Sequence, residues 1–370
     1  MTFENDNITV FLRVMQGCNL NCAHCFTLGN KDPVKQTPLE YIDTFLTKIS
    51  QNVQPKRGTI YLHGGETFLA DIDYLNKVID LIDSNFDRYN FGIIPQTNLI
   101  YTLTPEIIEF IKEKCDGHLG VSWDPKIRFG SIKQEHEIKQ EKLFFSNLKT
   151  LIDSGIKIHI SITVQKYLLQ VKPQRIAELF AGVNSIDFEH LTIFDDKTKH
   201  LKVNLLQWSN WLNELVDIYI NSDVSWCLPQ IDLFTKSIKE GLTYKCKCDC
   251  CQRKTFTLNP NGTIGLCPDD SYISPISNVE EFQNNWSSFE KKVETAHIDK
   301  ILSMSTDNCF SCEHFNECGG NCEDYFFDDS GECPLSKKVI GRIKDNLDYF
   351  HEVLENKAKF NLLEFSKKGN

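Results

Sequence analysis

Three cysteines lie close together near the start of the chain. Cys18, Cys22 and Cys25 follow a C-x3-C-x2-C spacing within the segment GCNLNCAHCF, residues 17–26. Thiolates are the natural ligands of iron–sulfur clusters, and three of them would leave one iron of a four-iron cube open to another molecule. A zinc knuckle or a redox-active thiol set is the alternative, but paired C-x2-C segments would be the usual pattern for either.

A second group of residues suited to ligand binding ends a predicted strand. The segment YLHGGET, residues 61–67, places two glycines and Glu66 at the end of that strand. Glycine allows close approach of the backbone to another molecule. A bare Gly-Gly-Glu is weak evidence, because any turn from strand to helix can carry it, but its position after the second predicted strand strengthens the signal.

The second half of the chain carries most of the remaining cysteines. They are Cys246, Cys248, Cys250, Cys251, Cys267, Cys309, Cys312, Cys318, Cys322 and Cys333. Two fully ligated four-iron cubes would use all but two of these thiols, and Cys115 and Cys227 lie outside the group. Structural zinc at Cys309 to Cys312 and at Cys318 to Cys322 is the alternative that spacing leaves open.

The first two segments resemble motifs of the radical S-adenosylmethionine (SAM) enzymes. The resemblance implies a [4Fe-4S] cluster on Cys18, Cys22 and Cys25 whose open iron binds SAM, which reductive cleavage converts to a 5'-deoxyadenosyl radical. It further implies a group of SAM-binding residues. These are Gly64 and Gly65 for close backbone approach, Glu66 for the methionine moiety, and Asn98, Ser122 and Asp124 at strand ends near the ribose. Thr67 stands where the family usually has proline. Capping of strand ends is the alternative role for each strand-end residue.

The later cysteines resemble the SPASM module, an auxiliary-cluster domain of peptide-modifying radical SAM enzymes. The matching pattern is Cys251, Gly262 and Cys267, then Cys309-x2-Cys312-x5-Cys318-x3-Cys322, and finally Cys333. The resemblance implies two auxiliary [4Fe-4S] clusters with interleaved ligands. One is held by Cys309, Cys312, Cys318 and Cys333, and the other by Cys267, Cys322 and two of Cys246, Cys248, Cys250 and Cys251.

Asp269, Asp270 and His63 are the candidates for substrate contact and proton transfer. The anaerobic sulfatase-maturating enzymes are similar in length and organisation, and carry an aspartate directly after the cysteine that Cys267 matches. Here Pro268 intervenes before Asp269 and Asp270, either of which could accept a proton if burial tunes its pKa. A solvated acidic turn is the alternative. That subfamily also has tyrosine at the position of Thr27 and glutamine at the position of His63, so its substrate contacts differ.

Composition excludes several classes of protein. With 370 residues and 41% hydrophobic content, the chain can bury one large core and a smaller module. The first seven residues lack the basic and apolar order of a signal peptide, which predicts a cytoplasmic protein with cysteines as metal ligands rather than disulfides. No apolar run approaches the roughly 20 residues of a membrane span. The net charge of −11 argues against nucleic-acid binding.

Short apolar runs alternate with amphipathic stretches, which predicts an α/β fold with parallel strands. The strands are predicted at Ile8 to Val14, Thr59 to Gly64, Phe91 to Thr97, Leu119 to Asp124, Ile156 to Gln165 and Ile186 to Phe194. The helices are predicted at about 38–50, 73–86, 105–114, 136–153, 173–181 and 204–222. Thr37-Pro38 and Thr104-Pro105 are predicted as N-caps followed by proline. Six units are too few for a closed eight-stranded barrel, so we expect a partial (β/α)6 barrel with its active groups at the carboxyl ends of the strands.

We expect three regions. Residues 1–235 would form the barrel with a helical insertion near its end, 236–335 the SPASM domain, and 336–370 a helix from Lys337 to Leu354 packed on the barrel. The sequence N-P-N-G-T at 259–263 predicts a hairpin that brings Cys251 and Cys267 together. Only seventeen residues precede Cys18, which predicts that a leader peptide binds elsewhere, either at the aromatic stripe of Trp208, Trp211 and Tyr219 or on a separate leader-binding protein. A core role for that stripe is the commoner outcome.

Together these features predict an oxygen-sensitive radical SAM oxidoreductase that crosslinks side chains of a ribosomally made precursor peptide. Its partners would be that peptide and an external electron donor such as flavodoxin or ferredoxin. Two alternatives remain open: oxidation of a protein Cys or Ser to formylglycine, and a non-catalytic iron–sulfur electron carrier or regulator that binds SAM without turnover.

Overall fold

The computed structural model describes residues 7–25, 35–128, 134–192, 198–242, 254–303, 307–320 and 327–357. The strands within these ranges are β1 Asn7–Gln16, β2 Lys35–Gln36, β3 Arg57–Gly64, β4 Phe91–Thr97, β5 His118–Ser122, β6 Lys157–Val164, β7 Ser185–His190, β8 Thr255–Leu258, β9 Thr263–Gly265 and β10 Ser277–Asn278. The helices are α1 Leu39–Val53, α2 Ile72–Asn85, α3 Pro105–Lys114, α4 Gln134–Asp153, α5 Pro173–Leu179, α6 Leu205–Asn221, α7 Pro229–Lys239, α8 Val279–Asn284, α9 Trp286–Ser303, α10 Asp307–Phe310, α11 Phe315–Cys318, α12 Lys337–Asp345 and α13 Leu347–Lys357. Short 3-10 helices occupy Thr67–Leu69, Leu168–Gln170 and Lys199–Leu201.

All six predicted strands are present and pair in parallel. Their order in the sheet, β1-β3-β4-β5-β6-β7, follows the order of the chain, as in a barrel wound in one direction. In β6 the even positions from Ile158 to Val164 are buried against helices, while His159, Ser161 and Thr163 on the opposite face are partly exposed. This alternation confirms the predicted fold class, an α/β partial barrel with a polar inner face.

The predicted six-stranded sheet is incomplete, because a seventh parallel strand extends it. β8 pairs in parallel with β1, with Thr9 opposite Thr255 and Leu12 opposite Leu258. The β8–β9 hairpin turns at Gly262, which has a φ of 80°, and Gly262 N donates to Asn259 O at 2.9 Å. The predicted hairpin is therefore confirmed, and it joins Cys267 to the edge of the barrel sheet. Cys251, its predicted neighbour, lies outside the described residues.

Of the two helix starts predicted from an N-cap residue followed by proline, one is confirmed. α3 has Thr104 as N-cap and Pro105 in its first turn, as predicted. The predicted cap at Thr37 is wrong by one residue, because α1 begins at Leu39 and Pro38 is its N-cap. The Thr37 hydroxyl instead donates to Arg13 O at 2.5 Å and ties the start of α1 to β1. Apolar positions repeat along α1 with helical spacing and are buried on the sheet: Ile42, Phe45, Leu46, Ile49 and Val53.

The aromatic stripe of α6 belongs to the core. Trp208 is 1% exposed and donates from Nε1 to Pro334 O at 2.9 Å, while Trp211 donates to Val171 O at 2.7 Å. These side chains are therefore not a surface for a leader peptide. The predicted C-terminal helix is interrupted at Asn346, and its two parts, α12 and α13, pack against α6 and α7. Within the described ranges, no helix is both long and apolar enough to cross a bilayer.

A carboxyl group between α6 and α7 should make the stability of the protein depend on pH. Burial raises the pKa of Asp232 to about 7, and Tyr219 donates a hydrogen bond to its Oδ1 at 2.8 Å. Because the pKa of Asp232 is higher in the folded than in the unfolded protein, protonation of Asp232 stabilises the fold. This contribution to the free energy of unfolding is complete below the unfolded pKa near 4 and is lost as the pH rises through about 7.

Asp232→Asn should therefore increase the free energy of unfolding at pH 8 by about 1–3 kcal/mol. Denaturant titrations at pH 5 and pH 8 check this, with the exposed Asp345→Asn as control. A gain of equal size at both pH values would contradict it.

Candidate active site

The three-cysteine loop directly follows β1 at the carboxyl edge of the sheet. Gly17, with a φ of 101°, turns the chain out of the strand. Three N–H groups point at its sulfurs: Leu20 N lies 3.4 Å and Asn98 Nδ2 3.6 Å from Cys18 Sγ, and Arg128 Nη1 lies 3.9 Å from Cys22 Sγ. Burial raises the pKa of Cys18 to about 11 and that of Cys22 to about 12. Half-buried thiols that face N–H donors fit cluster ligands, since iron supplies the charge that a thiolate needs and N–H bonds to sulfur tune a cluster.

The two glycines after β3 allow contact between two backbone segments. Gly65 N donates to Met15 O at 3.0 Å, and Glu66 N donates to Gly17 O at 3.1 Å. A Cβ atom on Gly64 would overlap Met15 O, and one on Gly65 would overlap Gly17 O. The close approach seen here is to the backbone that precedes Cys18, and the predicted approach to SAM stays a prediction. Thr67, in place of the usual proline, donates from its hydroxyl to Gln96 O at 2.8 Å.

Glu66 lies in the same pocket, held by the end of β4. Its Oε1 accepts from Thr97 Oγ1 at 2.7 Å and Phe68 N at 3.1 Å, and its Oε2 accepts from Asn98 N at 2.8 Å. Burial outweighs these bonds and raises the pKa of Glu66 to about 7. A buried carboxyl group at a pocket wall is stabilised as the anion by a cationic ligand. The amino group that SAM carries would provide that charge.

Asn98 and Ser122 line the pocket at the ends of β4 and β5. The Asn98 amide donates to Asn19 Oδ1 at 2.9 Å and so faces the cysteine loop. Ser122 Oγ accepts from Gln96 Nε2 at 2.7 Å. Gln96 and Thr97 also line the pocket, and sequence reasoning recognised them only as neighbours of Asn98.

Asp124 is fully buried among other side chains, and its predicted role near the ribose stays a prediction. Its carboxylate accepts from Arg128 Nε at 2.9 Å and from Thr163 N at 2.6 Å, and lies 3.5 Å from His24 Nε2. It does not belong to the described residues that line the pocket, whereas Arg128 and His24 do. Asp124 therefore acts through Arg128, whose charge lies beside Cys22. A fully buried aspartate requires a cationic partner, and the i, i+4 spacing to Arg128 was the signal in the sequence.

His63 faces the pocket as a neutral ring. Gly64 N donates to its Nδ1 at 2.8 Å, so the ring proton resides on Nε2. Burial, reinforced by the charges of Arg13 and Arg128, lowers the pKa of His63 to about 3. The ring is thus neutral at neutral pH, and the predicted contact of His63 with substrate, with a hydrogen-bonded strand-end histidine as its alternative, stays a prediction.

These side chains enclose one open cavity of about 610 Å³. It is lined by Cys18, Leu20, Cys22, His24, Cys25, His63, Gly64, Gly65, Glu66, Gln96, Thr97, Asn98, Ser122 and Arg128. The cavity therefore unites all three cysteines with the Gly-Gly-Glu segment and two of the three predicted strand-end residues. His24 Nδ1 is buried with no hydrogen-bond partner among the described residues, which leaves a polar group for a ligand.

A second, smaller cavity gathers four of the later cysteines. Cys309, Cys312, Cys318 and Cys333 line it together with apolar side chains, including Phe315 and Ile340. Burial, reinforced by the other three thiols, raises the pKa of Cys318 to about 12. This grouping matches one of the two predicted ligand sets, and a site with four thiols and apolar walls fits a fully ligated cube.

The remaining predicted residues lie apart from both cavities or outside the described residues. Cys267 is buried after β9, and its carbonyl accepts from Ser271 N at 3.1 Å. Asp269 and Asp270 are half-buried in the next turn and are not among the described residues that line the first cavity. Thr27, Cys246, Cys248, Cys250, Cys251 and Cys322 fall outside the described residues.

Replacing two thiols of the second cavity should remove the metal bound there and leave the metal site of the first cavity intact. In Cys312→Ala/Cys318→Ala we expect bound iron to fall by about four per chain after anaerobic reconstitution, while reductive cleavage of SAM continues. The reason is that the first cavity is built by β1, β3 and β4, without these residues. Iron and zinc analysis with a 5'-deoxyadenosine assay checks this, with Cys115→Ala/Cys227→Ala as control. Zinc in place of iron in the unsubstituted protein would contradict it.

Fold and site together define a class. Residues 7–124 match a sequence family described as a 4Fe-4S single cluster domain. The parallel sheet, with three cysteines and Gly-Gly-Glu at its carboxyl edge, has the fold of radical SAM enzymes. A search of curated protein sequences gave no match.

Among solved structures, two enzymes are similar over most of the chain. The native anaerobic sulfatase-maturating enzyme anSMEcpe, with bound AdoMet and the Cp18Cys peptide, has a TM-score of 0.67 at 17% identity, covering 96% of this chain and 100% of that one. SuiB of Streptococcus suis bound to S-adenosylmethionine has a TM-score of 0.58 at 17% identity, covering 87% of this chain and 76% of that one. SuiB bound to its precursor peptide SuiA has a TM-score of 0.58 at 16% identity, covering 87% of this chain and 75% of SuiB.

Proposed function

We propose that this protein is a radical SAM enzyme that oxidises a ribosomally made peptide and crosslinks its side chains. The observation that carries the proposal is the first cavity, where Cys18, Cys22, Cys25 and Glu66 line a single space. A cluster with SAM on its open iron would supply a radical that removes hydrogen from an unactivated substrate carbon. The peptide-bound structures of anSMEcpe and SuiB support a peptide substrate.

In this proposal the side chains of the first cavity bind and orient the cofactors. Cys18, Cys22 and Cys25 ligate three irons, and the Arg128 guanidinium, oriented by Asp124, compensates thiolate charge beside Cys22. Glu66 binds the amino group of SAM, and Thr97 with the Phe68 and Asn98 amides fixes its carboxylate. Asn98 and Ser122 face the ribose, and His63 donates from Nε2 toward substrate.

The later cysteines are assigned to electron transfer. Cys309, Cys312, Cys318 and Cys333 would hold one auxiliary cluster, and their shared cavity supports that set. Cys267, Cys322 and two of Cys246, Cys248, Cys250 and Cys251 would hold the other. The proton lost with the second electron would pass to Asp269 or Asp270, which lie in the turn after Cys267. The reductant would be an external donor such as flavodoxin or ferredoxin.

Formylglycine formation on a protein Cys or Ser is the second candidate. It is favoured by the extent of the similarity to anSMEcpe, which covers 100% of that chain, against 76% of SuiB. The residue at position 63 argues against formylglycine formation. His63 lines the first cavity at the position where the sulfatase-maturating enzymes carry glutamine.

Mass analysis of a treated peptide separates the two candidates. The reconstituted protein is incubated anaerobically with SAM, a reductant and candidate peptides, including one that contains Cys in a sulfatase-type sequence. Crosslinking removes two hydrogens and leaves fragments joined in tandem mass spectra, whereas formylglycine formation yields an aldehyde that hydrazides capture. An aldehyde product would reject crosslinking. Absence of 5'-deoxyadenosine with every peptide would reject both candidates.

A further inference from the structure

His314 is a buried polar side chain that lines the second cavity. It lies between Cys312 and Cys318 in the chain, and the residue is only 8% exposed. Its ring atom Nδ1 is buried and has no hydrogen-bond partner among the described residues. Because a buried polar atom without a partner costs free energy, an unpaired ring nitrogen at a cavity wall indicates a bound group that completes it.

The backbone of His314 is tied to the cysteines on both sides of it. His314 N donates to Cys312 Sγ at 3.4 Å, and His314 O accepts from Cys318 N at 2.9 Å. At the opposite edge of the ring, α12 packs closely. A Cβ atom added to Gly341 would lie 3.5 Å from His314 Nε2, which is ordinary van der Waals contact. The imidazole is thus held between the cysteine turn and α12.

The contacts of the ring leave its proton available on Nδ1. The Nε2 atom lies 3.9 Å from Oε1 of the exposed Glu313, which is too far for a hydrogen bond that would hold the proton on Nε2. Apart from the cysteines, the other polar side chain among the described residues lining this cavity is Lys337, whose Nζ donates to Gly331 O at 2.9 Å. His314 is therefore the side chain best placed to donate a hydrogen bond into the cavity.

We propose that His314 donates a hydrogen bond from Nδ1 to a sulfur atom of the auxiliary cluster assigned to Cys309, Cys312, Cys318 and Cys333. The inference rests on the proposed function, which assigns that cluster. Four thiols complete the ligand set of a four-iron cube, so His314 acts as a donor to sulfur and not as a further ligand. Such a hydrogen bond favours the reduced cluster, because the reduced form carries one more negative charge. His314 therefore raises the reduction potential of this cluster.

Potentiometric titration of the full-length, anaerobically reconstituted protein, monitored by electron paramagnetic resonance, tests this. The signal to follow is the one that Cys312→Ala/Cys318→Ala abolishes. In His314→Phe, which keeps a ring but removes the donor, we expect the ratio of reduced to oxidised cluster at a fixed potential to fall about tenfold, a shift of about 59 mV for a one-electron couple. His314→Asn keeps an N–H group near the position of Nδ1 and should shift the ratio by less than half as much on a logarithmic scale. His351→Phe, on α13 and away from the described cavities, should leave the ratio unchanged.

Pulsed electron paramagnetic resonance of the protein with isotopically labelled histidine nitrogen provides a test that does not require His314 to be replaced. The same cluster signal should show a weak coupling to one histidine nitrogen, as expected across a hydrogen bond to sulfur. The coupling should be absent in His314→Phe and unchanged in His351→Phe.

An unshifted His314→Phe, or a His314→Asn shifted as far as His314→Phe, would overturn the hydrogen bond. A strong coupling, typical of nitrogen bound directly to iron, would also overturn it, because His314 would then be a ligand. If His314→Phe fails to bind iron, absence of the weak coupling in the unsubstituted protein overturns the inference. Failure of the unsubstituted protein to bind iron in the second cavity would instead overturn the auxiliary cluster of the proposed function.

Discussion

Replacing Cys18, Cys22 and Cys25 together by alanine should abolish 5'-deoxyadenosine production and remove one cluster. Three four-iron cubes hold about twelve irons per chain, so the variant should retain about eight. The effect is complete because all three thiols line the one cavity that also contains Glu66, and no other described cysteine lines it. Iron counting after anaerobic reconstitution and a nucleoside assay with dithionite and SAM measure the two effects.

The matched control for the triple variant is Cys115→Ala/Cys227→Ala. Both of these thiols are buried, at 0% and 7% exposed, but neither lines the described cavities. The double variant should therefore bind as much iron as the unsubstituted protein, even if its unfolding temperature falls. Retention of nucleoside production by the triple variant would show that SAM is cleaved elsewhere.

Glu66→Ala should weaken SAM binding about 100-fold and destabilise the protein. Truncation removes the acceptor of Phe68 N, Asn98 N and Thr97 Oγ1 at once, and leaves two buried backbone donors unpaired. Loss of a charge-assisted contact to the ligand costs about 3 kcal/mol of binding, and the unpaired donors lower the free energy of unfolding by about 2–4 kcal/mol. Calorimetry with SAM and denaturant unfolding measure the two quantities separately.

Two further substitutions separate binding from folding at this position. Glu66→Gln keeps the volume and one acceptor oxygen but turns an NH2 group toward a donor, so it should destabilise the protein less than Glu66→Ala while also binding SAM more weakly than Glu66. Glu109→Ala, on the exposed face of α3, should change neither quantity. Unchanged affinity in both Glu66 variants would remove Glu66 from the SAM site.

Local patterns in the sequence predicted the barrel well. The strands β3 and β6 have alternate residues buried, the strands β4 and β5 are apolar runs buried at nearly every position, and proline marked the start of α3. The same reasoning missed the parallel pairing of β8 with β1. That pairing joins residues about 246 positions apart, and a four-residue strand carries no sign of its partner.

The candidate cysteine ligands could be recognised in the sequence, but the charged side chains of Arg13 and Arg128 could not be assigned a place from it. Spacing and family resemblance predicted which thiols belong together, and the structure brings Cys18, Cys22 and Cys25 into one cavity and four later cysteines into another. Arg13 and Arg128 were missed because each acts through contacts made only in the folded chain, with Pro268 and Asn259 in one case and with Cys22 in the other. Arg128 could have been inferred from Asp124, whereas nothing local pointed to Arg13.

The most direct test of the central claim is the electron paramagnetic resonance spectrum of the reduced protein with and without SAM. Subtracting the spectrum of the Cys18, Cys22 and Cys25 triple variant isolates the signal of the first cavity from those of auxiliary clusters. If SAM binds the open iron there, the difference signal changes shape when SAM is added to the unsubstituted protein, and changes much less in Glu66→Ala. A difference signal that SAM leaves unaltered, or the absence of any such signal, would contradict the account.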